Sequence, residues 1–368
     1  MMDSSSSLSI RQKLGQMFFI GIAGPEIDDE TRELLDEVAS GGVCLFARNI
    51  KGTEQTRRLL DKVREIAPLT PFLSVDQEGG LVDRLRRIMT PMPAASKLRN
   101  ADDAAELGSI IGETLRILGF NMNFAPVVDV NNPVRTKYSN GLFSRTFGSS
   151  KEEVAVMAGE ILRSMQDKGI IGCLKHFPGL AAARVDSHEQ LPVVDVRESE
   201  LDEIDQYPYR QLLGPPGVEA VMVAHATFPH HRLQETDRNG KLLPSSLSYK
   251  FVTDLLRGDL RFDGLVITDD LEMGAIVKNY GIGDACKMAI MAGADMLAIC
   301  ADPNAVREGF NAVLAAVESG EIGMERIDES LKRIDSARLK LSEPLEFDSS
   351  RLTSLSDDVA VLNERLTQ

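Results

Sequence analysis

The sequence predicts an α/β fold, a single-domain (β/α)8 TIM-type barrel with its active site at the C-terminal ends of the strands. Three observations lead to this prediction. Eight short apolar runs recur along the chain, stretches with helical spacing separate them, and ionisable residues follow five successive runs. A chain of 368 residues is long enough, because such barrels commonly exceed ~200 residues as one domain.

The eight apolar runs are the predicted β-strands. Apolar strands that alternate with helices indicate a parallel sheet whose two faces are both buried, and eight such units indicate a closed barrel. The predicted strands are 17–22, 42–46, 71–75, 122–127, 170–174, 219–224, 264–268 and 295–299.

Helical spacing of apolar residues predicts the elements between the strands. It is clear over 54–66 and 104–118, and a last helix is predicted near 324–342. No repeat or low-complexity linker divides the chain, so we expect one catalytic domain over 8–342. The remainder, 343–368, is predicted to be a polar C-terminal tail that wraps the surface or frays.

Composition narrows the class of protein. A formal charge of −15 and a pI near 4.9 argue against nucleic acid and anionic membrane surfaces as partners. No secretory signal and no apolar run of bilayer-spanning length is apparent, so we expect a cytoplasmic location and no membrane partner. The four cysteines are widely spaced, which predicts buried reduced thiols rather than a metal site.

Ionisable residues directly follow the third to seventh predicted strands. The C-terminal ends of barrel strands meet at one face, so these side chains predict a converging active site. They are Asp76, Asp129, Lys175 with His176, His225, and Asp269 with Asp270.

Some of these residues also have structural interpretations. Asp76 could cap the turn before two glycines, and Asp129 is better explained as satisfying backbone donors in an Asn-Asn-Pro turn. His225 could be a hydrogen-bonded histidine at the rim. Asp270 could cap a helix starting near Leu271, which makes Asp269 the better candidate for chemistry.

The segment from Lys175 to His188 combines the groups that acid/base catalysis needs. An apolar run delivers Lys175 and His176 to a Pro-Gly turn, and a short loop then places Asp186 two residues before His188. Histidine titrates near neutral pH, and a carboxylate beside it can orient it and stabilise its charged form. The pattern indicates a proton-transfer device on a loop.

With these residues in view, the chain resembles glycoside hydrolase family 3, in particular its bacterial β-N-acetylglucosaminidases. The resemblance covers roughly 8–342 and rests on motifs in the family's order. These are GGV through Phe46 and Arg48-Asn49, VDQEGG, NFAPVVDV, SRTFG, KHFPG, DSH, VMVAHATFP and ITDDLEMGAI.

The resemblance implies roles for the motif residues. Asp269 would be the nucleophile that forms a covalent glycosyl–enzyme intermediate. His188 would be the acid/base residue, oriented by Asp186, where most retaining enzymes use a second carboxylic acid. No cofactor and no metal is implied, and the partner would be a small carbohydrate containing N-acetylglucosamine. Residues that would hold the sugar are Asp76, Arg84, Arg145, Lys175 and His176.

Two departures from the family pattern lie close to these motifs. After KHFP the family usually has Gly-His-Gly-Asp or Gly-His-Gly-Ala, whereas this chain has Gly179 followed by Leu180, Ala181 and Ala182. The position after EGG, often Arg in the family, is Leu81. Replacing a glycine with alanine narrows the backbone freedom of the loop.

The favoured function is removal of terminal non-reducing β-linked N-acetylglucosamine, with peptidoglycan fragments in cell-wall recycling as the implied source. A phosphorylase, a β-glucosidase or a β-xylosidase on the same scaffold are alternatives, as is a sugar-binding relic that has lost catalysis. A further alternative is a metal-dependent hydrolase with His176, His188, His225 and a strand-end aspartate as ligands. His230 and His231 are expected on a solvated loop.

Overall fold

Eight parallel strands close into a barrel in the computed structural model, which describes residues 4–137, 141–187, 189–214 and 217–368. Each strand pairs with its neighbours in chain order, and the eighth pairs with the first. The predicted (β/α)8 barrel is therefore confirmed. The strands are β1 Phe18–Gly21, β2 Gly42–Leu45, β3 Phe72–Val75, β4 Met122–Asn123, β5 Ile171–Phe177, β6 Ala220–Val223, β7 Leu265–Asp270 and β8 Met296–Ile299.

Two strands differ in extent from the prediction. The predicted strand 122–127 is reduced to β4, Met122–Asn123, because the chain continues into Pro126, which has no N–H to donate to a ladder. Conversely, β5 continues beyond the predicted 170–174 to Phe177. Lys175 and His176 therefore lie within the end of the strand and not on a following loop, at a point where the pairing with β6 shifts register.

Helices cover the outside of the barrel. The α-helices are Ile10–Gly15, Asp29–Val38, Thr53–Ile66, Ala101–Leu118, Lys151–Asp167, Glu198–Glu200, Tyr207–Leu212, Gly274–Val277, Ile282–Ala292, Pro303–Glu318, Met324–Arg338 and Ser349–Thr367. Leu201–Asp205 and Lys250–Asp259 are π-helical, and a two-stranded hairpin, Gln77–Gly79 with Val82–Asp83, follows β3. Short 3-10 turns are Ser5–Ser7, Ala95–Lys97, Arg135–Lys137, Phe143–Arg145 and Ser245–Leu247.

Short polar side chains begin several of these helices. Asp28, Asn100, Ser150, Asp302 and Asp348 each accept a hydrogen bond from a backbone N–H in the first turn of the helix that follows. Such N-caps satisfy donors that have no partner inside the helix and stabilise it by about 1 kcal/mol each.

Aromatic rings fill the interior of the barrel below the site. Phe19 on β1 makes an edge-to-face contact with Phe124, their centroids 5.2 Å apart, and a tilted contact with Phe72 at 6.2 Å. A Cβ on Gly42 would lie 2.4 Å from the Phe19 ring, so only glycine allows β2 to pass this ring. These rings make the barrel a packed core and close the bottom of the cavity described below.

The C-terminal segment is more ordered than the predicted polar tail. It forms the helix Ser349–Thr367, which packs against the helix Ala101–Leu118. Its apolar positions recur at helical spacing, and the side chains of Leu352, Leu355, Val359 and Leu362 are buried. Since these four residues form one face, the helix has a stripe to bury even though its other faces are polar.

The four cysteines are buried and unpaired, which confirms the prediction of reduced thiols. Among the described helices, none combines the length and the apolar character that crossing a lipid bilayer requires.

Candidate active site

A cavity of about 230 Å³ opens at the C-terminal ends of the strands. This lies just below the ~300–1,000 Å³ of typical small-molecule sites, which fits a ligand of about one sugar ring. Its polar wall contains seven of the eight predicted site residues. The seven are Asp76, Arg84, Arg145, Lys175, His176, Asp186 and Asp269. Two further carboxylates, Glu78 and Asp270, also line the cavity. The eighth, His188, lies outside the described residues.

Asp269 and Asp270 end strand β7 and both reach the cavity. The backbone N–H of Asp270 donates to Asp269 Oδ1 at 2.9 Å, while Asp270 Oδ1 accepts from the N–H of Glu272 at 3.0 Å. Asp270 thus braces a turn, and the N-cap of the next helix is Met273 rather than Asp270. Burial raises the pKa of Asp270 to about 7.

A network of buried charges forms one side of the cavity. Lys175 Nζ lies 2.6 Å from Asp76 Oδ1 and 2.7 Å from Glu78 Oε1. Arg145 binds the same Glu78 through two nitrogens, Nε at 2.8 Å and Nη2 at 2.9 Å. Lys175 and Arg145 therefore share Glu78 as a partner, and Lys175 also pairs with Asp76, so that two cations and two carboxylates form one wall of the cavity.

Glu78 is a site residue that sequence reasoning missed. Burial would raise the pKa of Glu78, but the charges of Lys175 and Arg145 outweigh burial and lower it to about 2. The pKa of Lys175 is raised in turn, because the attraction of Asp76 and Glu78 exceeds the effect of its burial. Glu78, Lys175 and Arg145 therefore all carry their full charge at neutral pH.

His176 is held in one orientation by Asp129. Asp129 Oδ2 lies 2.7 Å from His176 Nδ1, and its two oxygens also accept from the backbone N–H groups of His176 (3.2 Å) and Leu180 (2.6 Å). Nδ1 faces a carboxylate and so carries a proton, which in the neutral ring leaves Nε2, 3.4 Å from Arg145 Nη2, as the acceptor. Asp129 does satisfy backbone donors, as predicted, but those of β5 and its following loop rather than those of its own turn.

Asp186 lies on the loop after β5. Its carbonyl oxygen accepts from the N–H groups of Glu189 and Gln190, and the neighbouring Ser187 accepts through its carbonyl from Ala275 N–H at 3.1 Å. The loop is thus fastened to the segment after β7, close to Asp269. The Leu180-Ala181-Ala182 departure is buried at this point, and Leu180 contributes an apolar patch to the cavity wall.

Arg84, another predicted sugar-holding residue, extends from the hairpin after β3. Its Nη2 lies 3.9 Å from Asp76 Oδ2, and its guanidinium carbon is 5.7 Å from the centre of the Phe46 ring. The Gln77 side chain accepts from the N–H of Arg84 at 3.0 Å and so sets the path of the hairpin. Leu81, at the hairpin tip, is 57% exposed.

The other histidines differ in their surroundings. His225 is buried, with Nδ1 2.7 Å from Ser246 Oγ and Nε2 3.1 Å from the carbonyl oxygen of Asp270. His230 is exposed beside Asp195, as predicted. The prediction for His231 was wrong: it is buried, because its ring packs on that of Phe251.

One group among the described residues is compact enough to hold a metal ion, namely Glu198, Asp202 and His231, outside the cavity. The N–H of Leu233 donates to His231 Nδ1 at 3.1 Å, so the neutral ring carries its proton on Nε2, the nitrogen that faces the carboxylates. Arg232 already pairs with Glu198. These contacts do not fit a cation site.

Known proteins match the chain over most of its length. The model of the glycosyl hydrolase family 3 N-terminal domain matches residues 9–337. The β-hexosaminidase of Pseudomonas aeruginosa strain LESB58 is 34% identical over 306 residues, which cover 81% of this chain and 85% of that protein.

Solved structures agree with these sequence matches. A family 3 β-N-acetylglucosaminidase from Paenibacillus sp. FPU-7 superimposes with a TM-score of 0.84 at 36% identity, covering 97% of this chain and 69% of that one. A β-N-acetylhexosaminidase from Beutenbergia cavernae gives 0.82 at 27% identity, covering 91% and 99%. The chain therefore belongs to glycoside hydrolase family 3 and is a glycoside hydrolase of the β-N-acetylhexosaminidase type.

Proposed function

We propose that the chain is a retaining exo-acting enzyme that removes terminal non-reducing β-linked N-acetylglucosamine. One observation carries the proposal: Asp269 and Asp186 line the same cavity, whose volume suits a single sugar. A pocket closed at its bottom accepts the end of a chain rather than its middle. Cytoplasmic peptidoglycan fragments in cell-wall recycling are the proposed source of substrate, on the family resemblance.

In the proposed mechanism Asp269 attacks the anomeric carbon while protonated His188 donates its proton to the leaving oxygen. The carbon–oxygen bond to the leaving group breaks, and a glycosyl ester of Asp269 forms. Neutral His188 then takes a proton from a water molecule, whose oxygen attacks the same carbon and releases Asp269. Asp186 orients the imidazole and stabilises its charged form.

The charged wall is proposed to bind the hydroxyl groups of the sugar. Lys175 is fixed by ion pairs with Asp76 and Glu78, and Arg145 by its ion pair with Glu78, so these groups present donors and acceptors at set positions. The acceptor Nε2 of His176 is likewise fixed by Asp129. Fixed partners do not need to reorganise when charge develops on the ring in the transition state.

Replacing the nucleophile tests the proposal directly. Asp269→Asn should abolish turnover of p-nitrophenyl N-acetyl-β-glucosaminide, with a loss of at least ~10³-fold in kcat and an unchanged thermal unfolding midpoint. Asp263→Asn, at a carboxylate whose side chain is 92% exposed, is the matched control and should keep full activity. Full activity of Asp269→Asn would refute the assignment.

Product analysis separates hydrolysis from phosphorolysis. A neutral histidine as acid/base residue does not repel phosphate as a carboxylate would, so phosphate could replace water in the second step. We expect free N-acetylglucosamine with retained β-configuration in phosphate buffer. A sugar 1-phosphate product would identify a phosphorylase. Activity only on glucosides or xylosides would contradict the proposed specificity for N-acetylglucosaminides.

A further inference from the structure

A short turn at the mouth of the cavity holds its side chains in three different environments. Leu142 is buried in a small apolar cluster with Val127 and Ala181. Arg145 turns into the cavity and binds Glu78. Phe143, between them, is 60% exposed to solvent.

The backbone of Phe143 adopts a conformation that suits glycine. Its φ is +39°, in the left-handed region, where a residue with a Cβ is strained by roughly 1–3 kcal/mol. A phenylalanine that is 60% exposed buries less than half of its surface, so burial offsets little of this strain. Stability therefore does not account for a phenylalanine at this position, and an unfavourable residue beside an active site points to a role in binding.

The position of the turn indicates what the ring would meet. A Cβ placed on Gly141 would lie 2.5 Å from Asp186 Oδ2, so the turn lies against the carboxylate of the proposed acid/base pair. The acid of a glycosidase must reach the glycosidic oxygen, which joins the sugar in the cavity to the leaving group. The side of the cavity marked by Asp186 is therefore the side on which the leaving group emerges.

We infer that Phe143 is a platform for the leaving sugar of the substrate, a specificity residue outside the cavity that holds the terminal N-acetylglucosamine. The inference rests on the proposed function, because it takes Asp186 to mark the leaving-group side. The axial C–H groups of a β-linked pyranose form an apolar face, and an exposed aromatic ring offers a flat apolar surface of similar width. Aromatic contacts of this kind contribute about 0.5–1.5 kcal/mol beyond the area they bury.

Two substrates that differ only in the leaving group test the inference. The leaving group of N,N′-diacetylchitobiose is a sugar that can lie on the phenyl ring. The leaving group of N-acetyl-β-glucosaminyl azide is a small anion that cannot. The readout is the ratio of kcat/KM for the disaccharide to that for the azide. This ratio should fall about tenfold in Phe143→Ala and Phe143→Gly, and Phe143→Trp should restore most of it.

Controls distinguish the possible failures. Leu339→Ala is the control, because it removes another exposed apolar side chain, 68% exposed, far from the cavity. The neighbouring Arg338 contacts Thr70 and Gln16, which precede strands β3 and β1 at the opposite end of the barrel. Leu339→Ala should leave the ratio unchanged, and the unfolding midpoint of Phe143→Gly should equal or exceed that of the wild type. An unchanged ratio in Phe143→Ala, or an equal loss on both substrates, would overturn the platform. A wild-type enzyme that cleaves neither substrate would instead overturn the proposed function.

Discussion

Glu78 is the residue that organises the charged wall of the site. It is the shared partner of Lys175 and Arg145: Lys175 also pairs with Asp76, whereas Glu78 is the carboxylate that Arg145 binds directly. A buried ion pair contributes little net stability when intact, but removing one partner leaves an uncompensated charge. The wall is therefore expected to lose its geometry as a unit when Glu78 is neutralised.

Glu78→Gln should lower both stability and activity. Removing one partner of a buried pair costs about 3–5 kcal/mol, and the remaining Asp76 should reduce this to about 2–4 kcal/mol. Displacement of Arg145 and Lys175 should lower kcat/KM by at least ~10-fold. Urea denaturation and steady-state kinetics measure the two effects. Glu54→Gln, at an exposed pair with Arg58, is the control, and equal behaviour of the two variants would contradict the role of Glu78.

The sequence located most of the cavity wall because strand-end positions of a barrel converge, whatever the details of the loops. Asp76, Lys175 and Asp269 follow directly from that rule. Glu78 does not, because its place depends on the hairpin that the two glycines after it allow, with φ of +89° at Gly79. The signal that was available is charge: three cations, Arg84, Arg145 and Lys175, are predicted at one site, and buried cations need carboxylate partners, which Glu78 in the same VDQEGG motif as Asp76 can supply.

At the scale of elements, the C-terminal helix Ser349–Thr367 differs from the predicted polar tail, although its pattern is visible in the sequence. Leu352, Leu355, Val359 and Leu362 follow each other by three or four residues, which is the spacing of one helical face. The predominance of polar residues hid this stripe. The helix is also fastened by polar contacts, among them the bidentate pair of Arg351 with Glu113 and the bond from Thr90 N–H to Ser356 Oγ.

Truncating the buried face of this helix should destabilise the barrel. Leu362→Ala removes a side chain with no exposure to solvent and should lower the free energy of unfolding by about 2–4 kcal/mol. Val361→Ala, on the same helix and 59% exposed, should change it by less than ~0.5 kcal/mol. Chemical denaturation followed by circular dichroism measures both. Equal, small effects would show that the helix does not contribute to the fold.

At the scale of the whole molecule, buried carboxyl groups with opposite pKa shifts set the dependence of stability on pH. The lowered pKa of Glu78 means that the stability it provides is present above pH 4.5 and is lost as pH falls towards 2. Burial raises the pKa of Asp205 to about 6, even with Arg135 beside it, and that of Asp270 to about 7. Between the unfolded value of 3.8 and these raised values, the folded state binds protons that the unfolded state has released, so stability falls as pH rises.

Asp270→Asn isolates the second of these effects, because asparagine resembles the protonated acid in shape and does not titrate. The wild type must ionise this buried group as pH rises through about 7, whereas the variant has no such cost. From pH 5 to pH 8.5 the stability of the variant relative to the wild type should therefore increase by on the order of 2 kcal/mol. Urea denaturation at several pH values measures the difference, with the exposed carboxylate Asp263→Asn as control. Groups that titrate alike in both proteins cancel in this comparison. Parallel curves of unfolding free energy against pH would therefore show that the pKa of Asp270 is not raised by folding.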